Sequence, residues 1–514
     1  VALGLMRDNH EIEKYLREWL NSERSDTTFV SMLQRNADLK ILLLNATPWM
    51  IDAKSDTERM TRIALLFDKE EIQNVYDKNI TLLTNLAKED GGLAWMGQSI
   101  YSSEWATANV LMLLGRLNHL GYLPADDRIS KIIDNGLAFL SKNASEVLAK
   151  NPDATFPSYS MIMSYFPDQY KVSGNHPAVD NTIKSILSNW KNETVIGKAY
   201  DAILLGRFGK FNEAQTVMES IREFASYSPQ KGMWWPSIGQ SSLMWYVNPV
   251  AATASVMEAF DEILLDGNEV ERIRQWLILQ KEATDWKESV STSIVLSAIL
   301  KSSSHWLRPA GEVKFNIGDT SLVPAEVEKA TGYFREDISG MVSGKNALSI
   351  IREDATSASW GAVYSQSVAE MTEVADSSID GLSISKRYLR YSGEGVEEVK
   401  DLGIGDKVRV ELTIVTDRDM DYVAVDDSRA ACFRPVEQLP RPVVSEGIYF
   451  YLENRSDCTR MFVDRLPRGR YIISYDLWVT NSGNFASGIA TVQSQYAPQL
   501  TAHSSGCRIA VSND

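Results

Sequence analysis

Residue types able to do acid, base or nucleophilic chemistry are present in this chain of 514 residues, but they are not grouped as an enzyme groups them. Adjacent carboxylates stand at Asp126/Asp127, at Asp426/Asp427 and in the run Thr416-Asp417-Arg418-Asp419-Met420-Asp421. Two carboxyls held at a suitable separation could act as acid and base on a glycoside. Neighbouring acids in charged loops are more often a solvated face. The five histidines, His10, His119, His176, His305 and His503, are scattered singly, and the three cysteines are Cys432, Cys458 and Cys507. Without a Cys-x-x-C pair or a Cys/His cluster no zinc site is expected, and the thiols read as buried or idle, one disulfide being the alternative. The chain has no G-x-S-x-G, no H-E-x-x-H, no P-loop and no G-x-G-x-x-G. It also lacks an Asp-x-Asp-Asp arrangement that could protonate a polyene. The expectation is no turnover activity, no cofactor and no bound metal.

Composition narrows the partners. A formal charge of −16, spread along the chain, repels phosphate backbones and argues against nucleic acid. Apolar stretches such as Val110 to Leu114 are too short to cross a bilayer, and the N-terminus lacks the layout of a signal peptide. "VALGLMRDNHEIEKYLREWL" reads as the interior of an amphipathic helix without a cap, which predicts that the chain is an excised fragment.

Two textures follow one another along the chain. To about Trp306 the apolar residues recur at helical spacing. "AYDAILLGRFGKFNEAQTVMESIREFASY" shows the unit, a helix, the turn Phe208-Gly209-Lys210 and a second helix. The stretch "DGGLAWMGQSIYSSEWATANVLMLLGRL" comes back in outline at "KGMWWPSIGQSSLMWYVNPVAATASVMEAFDEIL" and, shortened, at "EATDWKESVSTSIVLSAIL". Small residues there, Ala252, Thr253, Ala254 and Ser293, permit close helix contacts, as the inner ring of an α/α toroid (helical barrel) requires. Trp95, Trp105, Trp234, Trp235, Trp245 and Trp286 could form a carbohydrate platform or line an isoprenoid cavity at the toroid mouth. Aromatics at helix starts are more often core plugs, and that is the expectation.

After Trp306 the texture is β. A smaller set of strands is expected from about 308 to 366, and "AEMTEVADSSIDGLS" is read as an acidic link. "KVRVELTIV" sets Val408, Val410, Leu412 and Ile414 on one face, and "DYVAV", "GIYFYLEN", "RMFVDRLPRGRYIISYDLWVT" and "SGIATVQS" follow at strand length. Leu466-Pro467-Arg468-Gly469 is predicted to be a hairpin turn. The fold class is multidomain α and β, with the toroid over 1–306, a small β segment and linker over 307–383 and an Ig-like antiparallel β-sandwich over 384–514.

Helical toroid, small β segment and sandwich, in that order, resemble the C-terminal portion of bacterial α2-macroglobulins. "DGGLAWMGQSIYSSEWATANVLMLLGRLNHLGY" looks like part of the helical thioester domain, and "GKAYDAILLGRFGK" and "WYVNPVAATASVMEAFDEI" look like its later helices. "ATGYFREDIS" and "SWGAVYSQ" are similar to strands of the CUB-like segment, and "DYVAVDDSRAACFRPVEQ" with "FVDRLPRGRYIISYDLWVTNSGNFASGIATVQSQYAPQLTAHSSG" to the C-terminal macroglobulin domain. The resemblance implies a broad-spectrum protease-trapping inhibitor of the cell envelope, in the periplasm or at the bacterial cell surface. A protease cuts a bait segment there, and a strained Cys–Gln thioester acylates one of its lysines. The Cys-x-Glu-Gln signature is not in this chain, since "CFRPVEQ" has the wrong spacing and lies in the wrong domain. Either the thioester has been lost or it lies just upstream of Val1, and the second is expected, so no residue here is taken as nucleophile. The implied partners are target proteases, through the longer parent, with no nucleic acid, no metal and membrane contact only through a lipid anchor outside this chain. Two alternatives are an envelope scaffold without a thioester and a toroid carbohydrate-active enzyme with an attached sandwich.

Overall fold

The computed structural model describes residues 69–301, save 98, 175, 230, 239–248 and 284–288, short stretches between 313 and 352, and 368–512, save 380, 393–394 and 399–401. They fall into two compact units, one from residues 1–277 and 288–358 and the other from 278–287 and 359–514. The first is mainly helical and the second is built of sheets that are antiparallel except where β19 (Cys507–Ser512) pairs with β8 (Leu402–Gly403). The first residues of the sequence and the strands expected at "GYFREDIS" and "SWGAVYSQ" lie largely outside the described residues.

The helices of the first unit are α1 (Lys69–Leu86), α2 (Glu104–His119), α3 (Asp127–Lys150), α4 (Pro157–Tyr165), α5 (Pro167–Ser173) and α6 (His176–Asn189). They continue with α7 (Val195–Arg207), α8 (Phe211–Glu223), α9 (Pro249–Ala259), α10 (Gly267–Ala283) and α11 (Ser289–Lys301). Helix α3 shows why they form. Ile129, Ile132, Ile133, Gly136, Leu137, Leu140 and Ala144 recur at three and four spacings and are buried, and the Asp126 side chain caps the start by accepting from Arg128 N. Helices α7 and α8 make the expected hairpin, closed where Gly209 takes a φ of 81° and Lys210 N donates to Leu205 O at 2.7 Å. In α9 Val250 to Met257 are all buried, so this helix is surrounded on every side. Its neighbours are α7 and α11, while α4 packs on α2 and α7, and α3 and α8 flank α2 and α7. A short pair, β1 (Ser226–Ser228) with β2 (Gly232–Trp234), and a sheet of β4 (Thr320–Leu322), β3 (Val313–Ile317) and β5 (Leu348–Arg352) are the strands among the described residues of this unit.

The second unit is a sandwich. One sheet has five strands in the order β11 (Phe433–Pro435), β15 (Gly469–Val479), β9 (Lys407–Thr416), β6 (Leu382–Ser392) and β7 (Gly395–Glu398). The other has six, β12 (Arg441–Ser445), β13 (Ile448–Asn454), β14 (Cys458–Leu466), β10 (Met420–Ser428), β17 (Ala490–Ser494) and β18 (Thr501–His503). A third sheet joins β16 (Gly483–Ser487), β19 (Cys507–Ser512) and β8 (Leu402–Gly403). Val408, Val410, Leu412 and Ile414 of β9 point into one core with Val423, Val425, Phe450, Met461 and Val463 of the six-stranded sheet. The period-two pattern of β9 therefore marks its buried face correctly.

The expected hairpin at Leu466 to Gly469 is not one. Strand β14 pairs with β10 and β13, whereas β15 pairs with β9 and β11, so the turn carries the chain from one sheet to the other. Pro and Gly make a tight reversal there, but burial chooses the partners. Leu466 is buried between the sheets, and the Tyr471 hydroxyl pins the crossover by donating to Pro467 O at 2.8 Å.

Candidate functional site

Five helix ends of the first unit meet at one carboxylate. After α9 the chain makes a π-helical turn, Phe260–Leu264, closed by Leu265 at a φ of 54°. Such turns concentrate at functional positions. The turn carries Glu262, and Arg207, the last residue of α7, grips it with Nε to Oε1 at 2.7 Å and Nη2 to Oε2 at 2.9 Å. His119 Nε2, at the end of α2, lies 3.6 Å from Glu262, and Lys301 Nζ, at the end of α11, lies 3.7 Å away. Tyr165, the last residue of α4, places its ring 4.2 Å under the Arg207 guanidinium and edge-on to His119. Cations at helix C-termini suit the macrodipole, and here one buried acid collects two of them, Arg207 and Lys301, beside the His119 ring.

The electrostatics follow from that crowding. Burial opposes charge on Glu262, yet Arg207, Lys301 and His119 together keep its carboxyl below the ordinary value. Burial, Arg207 and Lys301 hold His119 down to about 4. One turn deeper, Arg116 of α2 reaches Glu258 of α9 at 3.1 Å, both ends nearly buried. Sequence reasoning missed this centre, because its residues are spread from 116 to 301. The available signal was the basic residue in the last turn of α2, α7 and α11.

The tryptophans do not form one cluster among the described residues. Trp95 and Trp105 are paired edge to face at 4.6 Å and are 57% and 54% exposed. Just before Trp95 the turn is tight. Gly91 takes a φ of 90°, and a Cβ there would stand 2.6 Å from Asn135 O. Leu93 N then donates to Thr107 Oγ1 at 2.8 Å, which ties the turn to the first turn of α2. Trp235 lies elsewhere, buried, with Nε1 donating to Ile221 O at 2.8 Å and its ring tilted against Phe260. Trp234 is half-buried at the end of β2, and Trp245 and Trp286 lie outside the described residues.

The adjacent acids are each occupied separately. Asp126 caps α3 and is bonded by Arg128 and Tyr76, with Arg128 holding its carboxyl far below the ordinary range, while Asp127 is exposed. Asp417 pairs with Arg418 and Asp419 with Arg465, and Asp421 is buried. Asp426 faces Arg460 at 2.9 Å, whereas Asp427 points into the sandwich toward Lys386 at 2.5 Å. Alternation along β10 separates that last pair onto opposite faces. Among the described residues no group of three or more His, Cys, Asp and Glu is placed to hold a metal ion.

The sandwich geometry is matched by a known sequence family. Residues 381–499 match the bacterial alpha-2-macroglobulin MG10 domain, a span that runs from the start of β6 past the end of β17. Over that span the chain is similar to bacterial α2-macroglobulins. No curated protein sequence matches it. Among solved structures, Escherichia coli α2-macroglobulin activated by porcine elastase is 16% identical, with a TM-score of 0.40, covering 86% of this chain and 38% of that one. The trypsin-activated form from Escherichia coli is 14% identical, with a TM-score of 0.42, covering 86% and 30%. Salmonella α2-macroglobulin reacted with methylamine is 16% identical, with a TM-score of 0.31, covering 89% and 28%. The chain thus spans well under half the length of these three relatives.

All three thiols sit in the second unit. They are unpaired. Burial pushes Cys432 up to about 11, and burial followed by the charge of Asp457 raises Cys458. Thiols held protonated in this way are poor nucleophiles at neutral pH. Cys507 is exposed and rests against Ser487 Oγ at 3.1 Å.

Proposed function

We propose that this chain is the C-terminal portion of a protease-trapping inhibitor of the α2-macroglobulin type that works outside the cytoplasm. The observation carrying the reading is the MG10 match over the sandwich, residues 381–499. In this proposal residues 1–306 form the thioester-type helical domain, 307–383 the CUB-like segment and 384–514 the last macroglobulin domain. The helical domain is a toroid whose inner helices are α2, α4, α7, α9 and α11. The convergence of their C-terminal ends on Glu262 supports that arrangement, since inner helices of a toroid run in one direction. Among the described residues no helix is long and apolar enough to cross a membrane.

The division of labour follows from the chemistry. The chain has no cysteine before Cys432, so in this proposal the thioester has either been lost or lies outside this chain. The helical unit is then a scaffold, held in one shape by its buried ion pairs. Trp95 and Trp105 cap its turn at the start of α2.

The test uses the full-length protein that contains this chain, challenged with trypsin or elastase. Trapping predicts a mobility change on a native gel and loss of protease activity on large substrates, with small peptide substrates still cut. An adduct on denaturing gels, abolished by methylamine, identifies a thioester. Trapping without an adduct identifies capture by conformation alone. Undiminished digestion of large substrates overturns the inhibitor reading.

A further inference from the structure

Lys386 of β6 and Asp427 of β10 belong to the two facing sheets of the sandwich, and their charged ends meet between them. Nζ lies 2.5 Å from Oδ1, and the two side chains are 3% and 0% exposed. Nζ also donates to Ser428 O at 2.8 Å and Gly488 O at 3.1 Å. On the far side of the carboxylate the Tyr475 hydroxyl, from β15, donates to Oδ2 at 2.5 Å. The ring of Tyr388 closes the space 4.9 Å from Nζ. The backbone is equally tight, since a Cβ on Gly488 would stand 2.2 Å from Ser428 Cβ.

We propose that Lys386 and Asp427 condense into an isopeptide bond that covalently joins the two sheets. Of the three ammonium hydrogens, two are directed at carbonyls and the third at the carboxylate. Transfer of that third proton to Oδ1 leaves a neutral amine whose lone pair is aimed at Asp427, with its remaining hydrogens still held by Ser428 O and Gly488 O. The Nζ–Cγ bond forms, and the negative charge that develops on Oδ2 is carried by the hydroxyl of Tyr475. The Cγ–Oδ1 bond then breaks, a second amine proton goes to the departing oxygen, and one water leaves. Ammonium plus carboxylate become amide plus water, with no change in net charge and no oxidant.

Two features of the site favour this course. Burial raises the Asp427 carboxyl above its ordinary value against the pull of Lys386, which makes the neutral acid accessible. A buried ion pair recovers little more than its desolvation cost, so replacing two charges by a neutral amide removes that cost. The seal that excludes water also protects the product from hydrolysis.

The experiment is intact-mass measurement of the purified full chain, followed by tryptic mapping. The expected result is a mass below that of the sequence by one water, with no cleavage after Lys386 and one branched peptide joining its segment to that of Asp427. Asp427→Asn should lose one ammonia instead and reach the same final mass as the native protein, and Asp427→Ala should keep its sequence mass. Tyr475→Phe should form the bond more slowly. A native mass equal to the sequence mass, or a water loss mapped to other residues, overturns the proposal, and neither outcome depends on a variant folding.

Discussion

The Arg207 guanidinium and the Glu262 carboxylate form two parallel hydrogen bonds, at 2.7 and 2.9 Å, with the two side chains only 11% and 17% exposed. That fork fixes the end of α7 to the π-turn after α9, with His119 and Lys301 drawn to the same acid. Glu262→Ala leaves the Arg207 and Lys301 cations, with the His119 ring, around a neutral gap and should destabilise the helical unit by about 3 kcal/mol, read by denaturant unfolding of the helical signal. Arg207→Lys should recover little of it, because an ammonium neither forks nor stacks on Tyr165 as a guanidinium does. A loss of stability within the range of an ordinary surface substitution would mean that these helix ends are not coupled.

His119 gives the same site a pH dependence. Its folded value is held down to about 4 from an ordinary 6.5, first by burial and then by Arg207 and Lys301, against Glu262. The unfolded chain therefore binds more protons between those values. Stability should be full above pH 6.5 and fall as the pH drops toward 4, on the order of 1 kcal/mol once partial exposure is allowed for. In His119→Gln this slope should flatten, and an unchanged slope from pH 6.5 to 4 would show that another group titrates there.

Asp201 of α7 works in the opposite direction. Burial, and then the charge of Glu193, push its carboxyl up to about 7 from 3.8, so the folded state holds the extra proton in that window. Its contribution to stability is present below pH 3.8 and is lost as the pH rises through 7. Asp201→Asn should leave stability unchanged below pH 3.8 and gain over the native chain above pH 7, on the order of 2 kcal/mol after allowance for partial exposure. Thermal unfolding at the two extremes measures the difference directly.

Trp95 and Trp235 should respond very differently to truncation. Trp235 is buried and its indole N–H is bonded to Ile221 O, so Trp235→Ala should cost about 3–5 kcal/mol through the cavity and the lost bond. Trp95 is 57% exposed, and Trp95→Ala should stay within about 0.5 kcal/mol. Parallel denaturation curves test the contrast, and a large loss at Trp95 would reveal packing that its exposure conceals.

How far the sequence could be read is clear from particular residues. The side-chain period of Val408, Val410, Leu412 and Ile414 is a local property of an extended chain, and all four are buried as the alternation requires. Gly209 between two apolar periodicities likewise announced the α7–α8 hairpin. At Leu466 to Gly469 the same turn chemistry misled. It specifies that the chain reverses, not which sheet receives the next strand.

The sequence by itself determined that helical texture precedes strand texture, which faces are apolar, and that the three thiols fall in the β-rich part of the chain. These depend on periodicity and residue type alone. Only the tertiary structure decided that Arg207, His119 and Lys301 share Glu262, and that Lys386 meets Asp427 between two sheets. The physical reason is distance along the chain. Helix ends converge, and strands face one another, through packing of apolar surfaces that does not record which charged residues it brings together.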